Sequence, residues 1–384
     1  DRPGALGVYH TCASELEREL GVEPQASLTS LYNLLLEQDD PAEAAPPRSR
    51  HQAAAGRLVG RKLERKRLFA AWRKAATGQA RVALIRGEAG IGKTRLAEEL
   101  FHWADQLGIA AVRTRVYATS SNLAYAPIID WLRSEPLATR LREVDRTRLT
   151  ELARLAPEIL VSHEDLPPPE PLAEDWQRTR LFEALAHTVC WDRQPLLLWI
   201  DDLQWCDSES LAWFQYLMRF DPLAPVLILG TARDEELAPD HPLTLLEHQL
   251  RRDDQLTAIN LKRLSEDEMV ELGRLVARDR LDEQELKLQS VRAGGNPLFM
   301  VEMTRASLEA TPSGQTVLHI TGEERPVDGA SSERVDAFDL PPKVYSIIQA
   351  RLAQLSPPAR ELLGLAAAIG RAFTFDLLTV SYTH

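Results

Sequence analysis

Apolar positions change their spacing three times along the chain. Over residues 5–20, Leu6, Tyr9, Ala13, Leu16 and Leu20 recur every three or four residues, and Gly21-Val22-Glu23-Pro24 ends the pattern. Ser27 can cap a second helix carrying Leu28, Leu31, Tyr32 and Leu35, so 1–37 is expected to form an antiparallel helical pair. Residues 38–56 are rich in Pro, Ala and charge and have no apolar period, which reads as an exposed linker. From 57 to 261 the apolar runs Val82–Ile85, Ala110–Val116, Leu196–Ile200, Val226–Leu229 and Leu256–Leu261 alternate with helical patterns. Near-continuous apolar strands separated by helices predict an α/β region whose parallel sheet is covered on both faces. Helical spacing alone then governs 262–310, with helices expected at 265–279, 282–292 and 297–309. A mixed loop is expected at 311–340, and helices resume at Pro342–Leu355 and Pro358–Ile369.

Composition narrows the classes. The 384 residues are 44% hydrophobic and 27% charged, an ordinary globular balance for more than one domain. No apolar run reaches the roughly 18 residues needed to span a bilayer, and the N-terminus lacks the pattern of a signal peptide, so a cytoplasmic protein without a membrane partner is expected. The net charge of −12 argues against wrapping nucleic acid, which requires a basic surface. Cys12, Cys190 and Cys206 show no metal spacing, and the histidines form no paired ligand motif. The chain starts without Met and stops as a new pattern begins, as expected of a piece of a longer protein.

One stretch carries explicit chemistry. Gly87, Glu88, Ala89, Gly90, Ile91, Gly92, Lys93 and Thr94 match GxxxxGK[ST] between a strand and a helix, with Arg95 following. Such glycines let successive backbone N–H groups converge on an anion, and the helix N-terminus adds its positive dipole end. Lys93 is then expected on the β- and γ-phosphates, and the Thr94 hydroxyl on Mg2+. A carboxylate ligand for Mg2+ is expected in Asp201, where the run LLLWID ends, because ligands gather at the carboxyl ends of parallel strands. Asp202 can orient or deprotonate an attacking water, and the alternative is a capping or ion-pairing aspartate. Asp207 reads equally well as a helix cap. Thr231 and Arg233 follow the next strand, where a guanidinium can meet a terminal phosphate.

Five segments, VGRKLERKRL, GEAGIGKTR, LLLWIDDLQWCD, LILGTARDEE and AGGNPLFMVEM, in this order and spacing, resemble the AAA-like P-loop ATPase domain of STAND-type bacterial signalling proteins, as in large LuxR-type regulators. The resemblance covers 57–384 and implies a P-loop NTPase sheet in the order 5-1-4-3-2 with a helical lid. It places Val59, Gly60 and Arg61 against the nucleotide base, and Pro297 of Gly295-Asn296-Pro297 on the nucleotide from the lid. It also implies that 341–384 opens a winged-helix-like domain. Residues 1–37 resemble the end of a TPR-like bacterial transcriptional activator domain of SARP-type regulators.

None of the seven lysines lies in a guanine-reading [NT]KxD, so the nucleotide is expected to be ATP or ADP. The combined expectation is a slow ATPase, with Asp202 and Arg233 catalytic, serving as a switch in a transcription regulator. Self-association in the ATP state and DNA contact through domains outside this chain follow from the resemblance. The alternatives are a non-hydrolysing nucleotide-stabilised scaffold and an AAA-type motor with DNA-dependent turnover.

Overall fold

A computed structural model describes residues 58–310, apart from 121, 122, 173 and 239, and scattered positions between 344 and 364. The expected helical pair, linker and 311–340 loop lie outside the described residues, as does nearly all of the expected winged-helix start. The described chain divides into two units after Lys262.

The first unit is built on five parallel strands: β1 (Arg81–Arg86), β2 (Ala110–Arg115), β3 (Leu196–Asp201), β4 (Val226–Ala232) and β5 (Leu256–Asn260). Their order, β2-β3-β4-β1-β5, is the one implied by the resemblance. The apolar runs are continuous because both faces are covered, and the pleat sends alternate residues to opposite sides. Val82, Leu84, Leu196, Leu198, Val226 and Ile228 enter one core with the helices Asp175–Cys190, Ser208–Phe220 and Pro242–Arg252. Ala83, Ile85, Leu197, Trp199, Leu227 and Leu229 enter the other with Lys62–Ala76 and Lys93–Gln106.

Two features depart from the simple alternation. β4 continues through Gly230, Thr231 and Ala232, which pair with Leu84, Ile85 and Arg86. The apolar count stops at Leu229, and a glycine and a threonine hide the continuation. Between β2 and β3 the chain makes an excursion of five helices, from Ala126–Leu132 to Asp175–Cys190, where a single crossover helix would have sufficed. Among the described residues no helix is long and apolar enough to cross a membrane.

The second unit contains the helices Glu266–Ala277, Glu283–Ala293 and Pro297–Ala310. Leu264, Met269, Val270, Leu286, Met300 and Met303 form its core. Ser265 and Glu268 make a reciprocal capping box at the first helix. Gly294, with φ 59°, ends the second helix, and Pro297 begins the third.

Candidate nucleotide-binding site

The loop from Gly87 to Gly92 joins β1 to the helix Lys93–Gln106. Gly87 (φ 146°) and Gly92 (φ 102°) adopt backbone conformations that side chains disfavour, and a Cβ on Gly87 would come within 2.9 Å of the Leu261 carbonyl oxygen. These two positions explain why the loop is glycine-rich at its ends. Lys93 is buried, and its Nζ donates to the carbonyls of Gly87 at 2.7 Å and Glu88 at 2.8 Å. Burial pushes the ammonium below the usual lysine range, and Glu235 is the foremost charge acting against that shift.

Strand register delivers the acidic group. Ile200 pairs with Gly230, which sets Asp201 beside Thr231 at the carboxyl end of the sheet. The Asp201 Oδ1 accepts from Thr94 Oγ1 at 2.9 Å and from Thr231 Oγ1 at 2.7 Å. Its Oδ2 is buried and receives no hydrogen bond among the described residues. The cation facing it is Arg113, whose Nη2 lies 3.8 Å away and whose guanidinium stacks 4.0 Å from the Trp199 ring. A buried carboxylate oxygen without a donor is costly unless something outside the protein satisfies it. Together with the Thr94 hydroxyl it forms a hard-oxygen donor set suited to Mg2+, which is commonly held by one or two carboxylates plus phosphate oxygens.

Asp202 has a different environment. Its φ of 62° turns the chain, and its amide donates to Thr231 Oγ1 at 2.9 Å. The carboxylate accepts from Arg115 Nη2 at 2.9 Å and Nε at 3.2 Å, and from Gln204 Nε2 at 3.2 Å. Arg233 Nε stands 3.6 Å from the same group. Arg233 itself donates to Glu236 at 2.9 Å and lies 5.1 Å over the Trp205 ring.

Residues 57–229 match the AAA ATPase domain. The P-loop ATPase fold of this AAA domain implies nucleotide binding. The chain is 27% identical over 360 residues to an uncharacterized protein of Rhizobium meliloti, covering 84% of this chain and 30% of that one. It thus spans under a third of that relative's length. Among solved structures it is similar to a STAND protein with a tetratricopeptide repeat sensor from Pyrococcus horikoshii, at 16% identity and a TM-score of 0.36, covering 88% of this chain and 38% of that one. It is also similar to Cdc6p from Pyrobaculum aerophilum, at 15% identity and a TM-score of 0.40, covering 70% of this chain and 65% of that one.

Val59 is buried, and Gly60 and Arg61 have φ of 65° and 62°. The buried Arg61 guanidinium donates to the carbonyls of Ile91, at 3.3 Å, and Lys262, so it ties the phosphate loop to the chain after β5. Arg95 pairs along its helix with Glu99 at 2.7 Å. Asp207 is a helix cap, accepting from the Ser210 amide at 2.9 Å and also from the Tyr125 amide at 2.9 Å. Pro297 belongs to the second unit, where Asn296 Oδ1 accepts from the Leu298 amide at 3.1 Å. Residue patterns did not single out Arg113 and Arg115. Their signal was present: two exposed arginines alternate with buried Val112 and Thr114 on a strand expected to be apolar throughout.

Proposed function

We propose that the chain binds ATP and ADP with Mg2+ and hydrolyses ATP slowly, as the switch module of a bacterial transcription regulator. The observation that carries this reading is the buried Asp201 Oδ2, left without a hydrogen-bond donor beside Thr94 while its partner oxygen is fully engaged. The glycine-ended loop offers amides to phosphate oxygens, Lys93 can leave its carbonyl partners for them, and Thr94 and Asp201 would hold Mg2+. The metal, when bound, would neutralise phosphate charge. Asp202 is assigned to positioning or deprotonating water, and Arg233 to meeting developing charge. The assignment of Val59, Gly60, Arg61 and Pro297 to the nucleotide rests on the family resemblance, as do self-association in the ATP state and DNA contact through domains outside this chain. A shift of the regulator between 1:99 and 99:1 would need ATP and ADP to differ by about 5.5 kcal/mol between its states, within reach of a few charge-assisted contacts.

A second reading has its own support. Asp202 is held by Arg115, which favours a nucleotide-stabilised scaffold in which hydrolysis is suppressed. A single-turnover measurement with radiolabelled ATP separates the two. Phosphate release on a timescale of minutes to hours supports the switch, whereas ATP recovered intact after overnight incubation supports the scaffold.

A further inference from the structure

The turn after β4, Asp234-Glu235-Glu236, is anchored on both flanks. Asp234 Oδ1 accepts from Arg86 Nε at 2.7 Å, and Arg86, which immediately precedes Gly87, also donates to both oxygens of buried Glu247 at 3.0 and 3.1 Å. On the other flank Glu236 accepts from Arg233 Nη1 at 2.9 Å. Between these anchors Glu235 reaches the phosphate loop, and its Oε1 accepts from the Ala89 amide at 3.1 Å. Three successive acidic residues on a surface turn would ordinarily be solvated. Here each has a separate partner, and the middle one uses an amide of the expected phosphate nest.

We propose that Glu235 is a specificity residue of the nucleotide site, weakening the binding of a nucleoside triphosphate more than that of a diphosphate. The inference rests on the nucleotide-binding reading above. Amides that converge on an anion cannot serve a carboxylate and a phosphate at full strength together. Lys93 is the side chain expected on the outer phosphates, and Glu235 is the foremost opposite charge acting on it. Like-charge repulsion therefore falls mainly on the outermost, most highly charged phosphate. At a separation of about 5 Å and an effective dielectric between those of protein and water, such repulsion corresponds to about tenfold in affinity. Because Glu235 is exposed, the effect should shrink in salt.

The test is calorimetric titration of the full chain and of Glu235→Gln with Mg-ADP and with a non-hydrolysable Mg-ATP analogue, at low and high salt. Glu235→Gln should tighten the triphosphate about tenfold and the diphosphate no more than about twofold, with the difference fading at high salt. Asp234→Asn, which releases one anchor, should reproduce part of the gain. Equal tightening of both nucleotides, or no change with the wild-type protein binding normally, overturns the inference alone. Absence of binding by cooperatively folded wild-type protein overturns the nucleotide reading and this inference with it. Thermal unfolding of each variant separates a charge effect from misfolding.

Discussion

Asp201 and Asp202 are adjacent and almost equally buried, yet their partners differ in kind. Asp201 is oriented at one oxygen by two neutral hydroxyls, and the Arg113 guanidinium stands 3.8 Å from the other, beyond hydrogen-bond reach. Asp202 is clamped by a guanidinium, so its charge is already answered within the protein. Neutral donors fix a carboxylate without using up its field, whereas a cation fixes it and cancels the field. The pair therefore presents two environments: an Asp201 oxygen without a donor beside Thr94, and an Asp202 carboxylate paired with Arg115.

The largest blow to this comparison is on the binding side. Lys93→Ala should abolish nucleotide-induced thermal stabilisation, since losing two charge-assisted phosphate contacts weakens binding by about a hundredfold or more. Stabilisation unchanged from wild type would remove the phosphate assignment. Next, Asp202→Asn should keep nucleotide affinity within about twofold yet slow single-turnover hydrolysis by about a hundredfold, the scale of general-base loss. Wild-type turnover in that variant would make Asp202 structural. Arg115→Gln sharpens the contrast in the opposite direction. Freed of its half-exposed partner, Asp202 should hydrolyse ATP about two- to fivefold faster, a modest gain because such pairs are weak. A slower Arg115→Gln enzyme would mean that Arg115 assists the reaction rather than restrains it.

The smallest effect concerns a group outside the site. Burial, reinforced by Asp221, pushes the Cys190 thiol up to about 12. At pH 8 it should alkylate at least about a hundredfold more slowly than an unhindered cysteine, because the thiolate is the nucleophile. Peptide mass spectrometry after timed iodoacetamide exposure reads this directly, and rapid labelling would show that the helix ending at Cys190 opens readily.

How much of this was legible in the residues depended on sequence distance. The glycine loop is local, so the pattern from Gly87 to Thr94 was visible in the residues, and apolar runs marked the strands even where exposed Arg113 and Arg115 interrupt β2. β4 was read short because Gly230 and Thr231 carry no apolar signal, although Thr231 bridges the acidic pair. Arg115 acts on Asp202 across 87 positions through strand pairing, a register that no local pattern encodes. Glu235 lies in a run of three acids that no motif singles out, and only the path of the turn back to Arg86 and Ala89 gives it a partner. The excursion between β2 and β3 was missed for a related reason: its first four helices are short and add to an existing core without a repeating signal of their own.

The most direct measurement is isothermal titration of folded wild-type protein with ATP and ADP, each with and without Mg2+. Binding of both nucleotides, strengthened by Mg2+ and lost in the Mg2+ increment when Asp201 becomes Asn, is the predicted result. Titrations that stay flat, or a Mg2+ increment that survives Asp201→Asn, would contradict it.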